Sequence, residues 1–537
     1  MEQQQAQFVK THYADLIRRV NGVLPIADKL KTEKIIHQET YSEINVPYTT
    51  SMAKMRVLLE ALNTDNAKCA FYELLKAEEP LLVEELEKQG SSSQTSHEVQ
   101  EAKSYPQNTK AKESERPAME IITEKKQLSR WNKFTIKYRK KMEKLYEMRE
   151  SLYNVGNLFF CKNKDYIIGS GGSGTLVYLG FKRDGTEVAI KRITKNPIND
   201  KVFENELKHL QKIQSTNQSQ YLVKYVDLEE DEDFYYLALH LCDYDLVDYM
   251  EDLRQQEKPV REIALKQVVS ELLHGLKALH CDDVIHRDLK PRNVLIDAEK
   301  HAKLADFGIC RKLEEGKTTV YTVRAGTQGW EATEILNQAE NGGYKKSSDI
   351  QVAGMLVYYI ISEGKHPFGE LKDREANIKA GKYSLKDVQD IVAKDLIEWM
   401  ISKEKKERLS IDEVLKHPYF WNDERKVAVL KILGDRKEVQ QFKTSENCPE
   451  LSNAVQKYTE GKSFSDWKSK PLQRWTKIDK NLPENLLGLL RFLRNILVHN
   501  EEHFHHVEFC DRFPDFFISL YKLAKHMNWT YLDTERY

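Results

Sequence analysis

Apolar positions recur at helical spacing through residues 1–90, as in FVKTHYADLIRRV and LLVEELEKQ, with Gly22 the only glycine before residue 90. That periodicity predicts a compact helical bundle. Through 91–118, SSSQTSHEVQEAKSYPQNTKAKESERPA, the apolar positions nearly vanish. Such a stretch buries too little to order itself and reads as a linker. Residues 120–155 are rich in Lys and Glu and read as one exposed helix leading into the next domain. At about 160 the period shortens. FFCKNKDYIIGS, TLVYLGF and TEVAIKRI are β-branched and aromatic runs punctuated by glycine, which predicts a strand meander. After about 245 the pattern is helical, and from 422 to 537 it is helical again, with a polar stretch near 440–465. No internal repeat appears.

Composition changes this picture little. Of 537 residues, 40% are hydrophobic and 31% charged, and the net charge is -1. The balance suits a globular chain of several domains and gives no global argument for a nucleic-acid or membrane partner. Seven cysteines lie scattered without a CxxC pair, which points to reduced thiols in the cytosol or nucleus rather than a disulfide frame or zinc site. The polar start MEQQQAQFVK is unlike a signal peptide. The most apolar run, VAGMLVYYII (352–361), is about half of what crosses a bilayer. A cytoplasmic protein without a membrane span is expected.

The candidate chemistry begins at GSGGSG, where Gly169, Gly171 and Gly174 fit GxGxxG. A dinucleotide fold would place a helix after the glycines. Here a strand follows, then VAIK with Lys191, which suits a flap whose backbone N–H groups approach phosphates. IHRDLKPRNVLI (285–296) and LADFGIC (304–310) come next. At this spacing Asp288 orients and deprotonates a hydroxyl nucleophile, Asn293 and Asp306 offer hard oxygens to Mg²⁺, and Lys191 neutralises phosphate charge. Glu206 is the expected ion-pair partner of Lys191, with Glu204 its competitor. Thr318, Thr319, Tyr321, Thr322 and Thr327, between DFG and ATE (332–334), are candidate phosphosites whose added charge could order the loop against Arg287.

From about 160 to 421 the chain resembles the protein kinase family, of Ser/Thr type because Lys290 follows HRDL. The resemblance implies a two-lobed α+β fold and ATP or ADP in the cleft. The nucleotide would lie against Leu176 and Ala189 and a hinge near Leu239, His240, Leu241 and Cys242. ATE stands where the family has APE, and loss of the proline is expected to loosen that turn.

Within LLGLLRFLRNILVHN (486–500), Leu486, Leu489, Leu490, Leu493, Ile496 and Leu497 share one side at about 100° per residue. Arg491, Asn495 and His499 run down the other, with Arg494 beside them. Cleaving RNA without a metal needs a base for the 2′-OH, an acid for the leaving oxygen and donors for the phosphorane. An imidazole suits the proton transfers, and a guanidinium grips phosphate as a fork. SSDIQVAGMLVYYIISEGKHPFGE, RLSIDEVLKHPYFW and GTQGWEATEIL are similar to the inositol-requiring transmembrane kinase/endoribonuclease and ribonuclease L. In that family an all-α ribonuclease domain, the KEN domain, follows HPFFW directly, as residues 422–537 do here. The family implies a dimerisation-activated endoribonuclease acting in stress signalling such as the unfolded protein response. Its RNxxxH motif falls on Arg494, Asn495 and His499. Its tyrosine, about a dozen residues before the arginine, is missing from KIDKNLPEN (477–485), and Gly488 replaces the Asp of "DLL". His503, His505 and Tyr458 are the candidate substitutes. A metal held by His503, His505 and His506 is disfavoured because no carboxylate accompanies them.

FVKTHYADLIRRVNGVLPIADKLKTEKIIHQETYSEI (8–44), MAKMRVLLEAL (52–62) and AFYELLKAEEPLLVEELEK (70–88) resemble a caspase-recruitment domain of the death-fold superfamily. The resemblance implies a six-helix bundle that assembles with a recruitment-domain partner. Arg18, Arg19, Lys29 and Lys31 would be basic contacts, and Glu78, Glu79, Glu84 and Glu85 acidic ones. The whole then reads as an autophosphorylating kinase joined to a ribonuclease that works as a homodimer or higher oligomer on RNA. The alternative is a signalling kinase or recruitment scaffold whose C-terminal domain pairs without cutting RNA.

Overall fold

The computed structural model describes most of the chain. Outside the described residues are 92–133, shorter stretches at 17–19, 21–22, 45–50, 172–173, 197–198, 201–202, 209–218, 338–340, 443–448, 473–474, 476–477, 500–505 and 530–537, and residues 1, 14, 205, 315 and 324. Arg18, Arg19, His503, His505 and the linker at 92–118 fall there. The chain divides into two compact units, 1–114 and 115–537.

The first unit is helical: α1 (Glu2–Thr11), α2 (Val23–Thr32), α3 (Gln38–Ile44), α4 (Ser51–Ala61), α5 (Asp65–Glu78) and α6 (Pro80–Ser91). The helical stripe reads directly as its core, with Leu16, Ile26, Leu30, Leu58, Phe71, Leu75, Val83 and Leu86 buried together. Thr64 caps α5 by accepting from the Ala67 N–H, which satisfies one of the donors a helix start leaves open. Of the expected charged contacts, Lys29 pairs with Glu78 of the same bundle at its surface, at 2.5 Å. Lys31 lies over the Tyr41 ring at 4.0 Å. Lys29 and Glu78 are thereby engaged with each other.

The second unit opens with α7 (Arg139–Glu147). Its sequence suggests a solvated helix, but Met142 and Leu145 are buried against Leu179, Phe181 and Leu241. Two apolar residues three apart suffice to dock a charged helix by one edge. Ahead of α7, Thr135 is also buried. Its N–H donates to Glu187 Oε2 at 2.8 Å, and its hydroxyl donates to Asp243. The Ile136 and Lys137 N–H groups donate to Asp243 Oδ2 at 3.0 and 3.3 Å.

Seven strands follow: β1 (Tyr153–Val155), β2 (Leu158–Phe160), β3 (Ile167–Ser170), β4 (Leu176–Lys182), β5 (Glu187–Thr194), β6 (Tyr225–Glu230) and β7 (Phe234–His240). They form one antiparallel sheet in the order β1-β2-β4-β5-β7-β6, with β3 on β4. Below it lies a helical lobe built on α8 (Lys258–Cys281), α9 (Lys346–Ile361) and α10 (Ile391–Ile401). The 352–361 run is apolar all round because α9 is buried on nearly every side, with Val352, Ala353, Met355, Leu356, Val357, Tyr358 and Ile360 inside. Among the described residues no helix is long and apolar enough to cross a membrane.

The C-terminal helices α11 (Asp423–Gly434), α12 (Pro449–Thr459), α13 (Leu486–His499) and α14 (Phe516–His526) enclose a separate core of Leu430, Trp467, Leu486, Leu489, Leu490, Leu493, Phe513 and Leu520. This domain is joined firmly to the kinase-like lobe. The Tyr521 ring meets His417 at 5.4 Å, Trp399 at 6.0 Å and Trp421 at 6.2 Å. Lys522 pairs with Asp395, which also accepts from His417 Nε2 at 3.3 Å.

Candidate active sites

Lys191 stands mid-strand on β5, opposite Val177 on β4 and Leu237 on β7. Its Nζ is 2.8 Å from both carboxylate oxygens of Glu206 and 2.9 Å from Asp306 Oδ1. Burial disfavours the ammonium, but Asp306 and Glu206 outweigh it and hold Lys191 above the ordinary lysine value. Lys191 in turn holds the Asp306 carboxyl below its usual range. Glu206 is thus the partner the structure gives Lys191, and Glu204 is not. Asp306 has φ +67°, the left-handed backbone that a non-glycine residue adopts only under constraint.

The flap is formed by β3 and β4. Gly169 pairs with Val177 across a register shift, and the Gly171 N–H donates to Thr175 O at 2.9 Å. Gly174 has φ +76° with nothing within 4 Å of where a Cβ would stand. Glycine there keeps the loop tip open to a phosphate. Ala189 pairs with Leu179 and Leu239. Past β7, Leu241 and Cys242 point into different clusters. Leu241 joins Leu179, Phe181 and α7, whereas Cys242 packs with Val223, Ala305, Leu239 and Leu295. Leu176, expected beside Ala189 at the nucleotide, instead packs with Tyr178 and Ile190. That is the sheet face opposite the one that carries Lys191 and Ala189, because successive strand residues alternate faces. Sequence reasoning missed Leu295 and Val223. Leu295 lies two residues after Asn293, in the same quoted run.

On the opposite wall Asp288 is gripped by three side chains. Lys290 Nζ donates to its Oδ2 at 2.6 Å, Asn293 Nδ2 to the same oxygen at 3.0 Å, and Thr327 Oγ1 to its Oδ1 at 2.7 Å. Lys290 also reaches Thr327 Oγ1 at 2.9 Å. Asn293 commits its nitrogen to Asp288, so its amide oxygen and the Asp306 carboxylate are the hard donors suited to a divalent cation. Thr327, read first as a phosphosite, has its hydroxyl at the centre of this site. The loop is fixed from beneath by buried Asp349, which accepts from the His286 N–H at 2.8 Å and the Arg287 N–H at 3.0 Å.

The ATE turn is not loosened. Thr333 is buried, and its N–H donates to Gln351 Oε1 at 2.7 Å. The hydroxyl and N–H of threonine supply bonds a proline lacks. Glu334 keeps a fork–fork pair with Arg408 at 2.9 and 2.8 Å.

In the C-terminal domain, α13 docks by Leu486, Leu489, Leu490, Leu493 and Leu497, with Ile496 partly buried. Asn495 and His499 are exposed on the other side, and Arg491 and Arg494 are half-buried. Arg494 Nε donates to Asp435 Oδ1 at 2.5 Å and its Nη1 to Asn495 Oδ1 at 3.3 Å. Tyr458 does not meet His499. Its hydroxyl lies 3.4 Å from His526 Nδ1. Its neighbour Thr459 accepts the N–H of Leu486 at the far end of α13, about 20 Å of helix away from His499. Gly488 has a steric reason: a Cβ there would stand 1.8 Å from Pro483 O, so the family's Asp does not fit this turn.

A strand lid, a buried Lys–Glu pair and an Asp–Lys–Asn–Thr cluster between two lobes define a protein kinase fold. Residues 163–420 match the protein kinase domain, and residues 6–89 match the caspase recruitment domain. The chain is similar to the serine/threonine-protein kinase/endoribonuclease ire-1 of Caenorhabditis elegans, 31% identical over 412 residues. That alignment spans 71% of this chain and 41% of the relative. The serine/threonine-protein kinase/endoribonuclease IRE2 of Homo sapiens is 32% identical, over 53% of this chain and 31% of its own length. The sensor for unfolded proteins in the ER ire1 of Schizosaccharomyces pombe is 27% identical, over 69% and 38%. The chain thus spans about two fifths or less of these relatives.

Proposed function

We propose that residues 1–90 recruit partners, 160–421 transfer phosphate from ATP to Ser or Thr, and 422–537 cut RNA when two chains pair. The kinase half is carried by Lys191, one ammonium tied to both Glu206 and Asp306. Asp288 takes the proton of the attacking hydroxyl as its oxygen bonds to the γ-phosphorus and the bond to the β-phosphate oxygen breaks, releasing ADP. Lys290, 2.6 Å from Asp288, faces the charge that develops there. Asn293 and Asp306 would hold Mg²⁺, which neutralises phosphate charge when bound.

In the C-terminal domain His499 would move one proton of the 2′-OH attack, and Arg494 and Asn495 would hold the phosphate. The supporting observation is that α13 buries its leucines and leaves Asn495 and His499 exposed on one face. Relatives named kinase/endoribonuclease point the same way. Oligomerisation through the recruitment domain would raise the local concentration of chains. The reading places the protein in the cytoplasm. Seven cysteines scattered without a CxxC pair fit a reducing compartment.

The test is cleavage of a stem-loop RNA by the full chain under forced dimerisation, comparing wild type, His499→Ala and Asp288→Ala. Cleavage lost in His499→Ala alone, with phosphotransfer lost in Asp288→Ala, is the expected result. No cleavage by the paired wild type removes the ribonuclease half. One observation favours that second reading, a C-terminal domain that pairs without cutting: KIDKNLPEN lacks the tyrosine, and Tyr458 sits at the wrong end of α13.

A further inference from the structure

Tyr344 ends a short strand (Asn341–Tyr344) that pairs antiparallel with Val320–Val323, the segment between the DFG and ATE motifs. It is 3% exposed. Its hydroxyl accepts from the Ala325 N–H at 2.8 Å and donates to the Ala325 C=O at 2.6 Å. A phenol that is donor and acceptor at once thus clamps both polar groups of one residue. Its ring lies 4.1 Å from the Arg287 guanidinium carbon, and Arg287 Nη1 donates to Ile309 O at 3.1 Å. The next residue, Gly326, has φ +127°, and a Cβ there would come within 3.1 Å of Arg287 O. Beyond it Thr327 Oγ1 reaches Asp288. Clamp, close backbone approach and catalytic contact fall on three consecutive residues.

We propose that Tyr344 is a positioning residue of the phosphotransfer site, resting on the kinase reading above. By closing on Ala325 it sets Gly326 against the catalytic loop and delivers the Thr327 hydroxyl to Asp288. The substrate-facing end of the segment is anchored by this phenol, without a phosphoryl group on the loop. Thr318 and Tyr321, exposed on the preceding stretch, take no part in that anchor.

The test uses the full chain carrying Thr318→Ala, Thr319→Ala, Tyr321→Phe and Thr322→Ala, after phosphatase treatment. Its substrate is a peptide copied from residues 314–326. Tyr344→Phe keeps the ring on Arg287 and removes the clamp. Peptide KM is expected to rise about tenfold with ATP KM unchanged, the loss of two hydrogen bonds acting on one substrate only. Hydrogen exchange at residues 325–328 is expected to speed up in the same variant. An unchanged peptide KM, or equal losses for peptide and ATP, overturns the proposal. If the background chain transfers no phosphate but phosphorylated wild type does, the phosphate-free anchor is overturned while the kinase reading stands. If neither transfers phosphate, the kinase reading fails and exchange alone decides, equal protection in the two chains refuting the clamp.

Discussion

Thr333 and Gln351 exchange hydrogen bonds: the Thr333 N–H reaches Gln351 Oε1 at 2.7 Å, and Gln351 Nε2 returns to Thr333 Oγ1 at 2.9 Å. Gln351 is fully buried, and its Nε2 also donates to the Ile401 and Ser402 carbonyls at 3.1 and 3.3 Å, but its Oε1 receives the Thr333 N–H. Restoring the family's residue with Thr333→Pro removes both the N–H and the hydroxyl. A loss of about 3 kcal/mol is expected, read as a lower midpoint in urea. A midpoint equal to or above wild type would show that the pair carries no stability.

Lys191→Met leaves Glu206 buried without its counter-charge. Phosphotransfer should fall about a hundredfold or more, and stability by about 3 kcal/mol. Glu206→Gln keeps a hydrogen-bond acceptor and should lose less of both. Thermal melts and single-turnover rates of the two variants decide whether the pair acts as one unit.

The junction between the kinase domain and the C-terminal helices should weaken in acid. Burial holds His417 below its ordinary 6.5 despite the pull of Asp395. Asp395 is held below its ordinary 3.8, because the bonds from His417 and Lys522 outweigh its burial. Both shifts are downward, so the stability they contribute is complete above pH 6.5 and drains away as the pH falls through the folded values. Melting temperature should drop from pH 7 towards pH 4, and less so in His417→Gln. A flat profile would refute this.

Much of this was legible in the sequence. The leucine stripe of α13 and the order of GxGxxG, VAIK, HRD and DFG each rest on local spacing, which folding preserves. What escaped depends on chain that arrives from far away. Thr327 meets Asp288 across 39 positions and Glu334 meets Arg408 across 74. The solvated helix assigned before 155 failed because two apolar residues among many lysines look like noise until Phe181 and Leu241 are seen beneath them. The missing proline was misjudged because Gln351, its compensation, carries no mark in the sequence.

Thr135→Val should weaken ATP binding although it lies ahead of the strand sheet. The hydroxyl it removes donates to Asp243, the residue after Cys242. An affinity loss of about fivefold to tenfold, measured by nucleotide titration, is expected from one buried bond to a charged group. Chains begun after residue 149 should lose at least as much.

That last contact also has a mechanical meaning. A pull on the backbone ahead of the strand sheet would be borne first by Thr135, Ile136 and Lys137. The Thr135 hydroxyl and the Ile136 and Lys137 N–H groups end on Asp243, while the Thr135 N–H ends on Glu187. The load therefore enters the kinase domain one peptide bond from Cys242, with no intervening slack. Force on Thr135–Lys137 would thus reach Asp243, the neighbour of Cys242, without passing through the strand sheet.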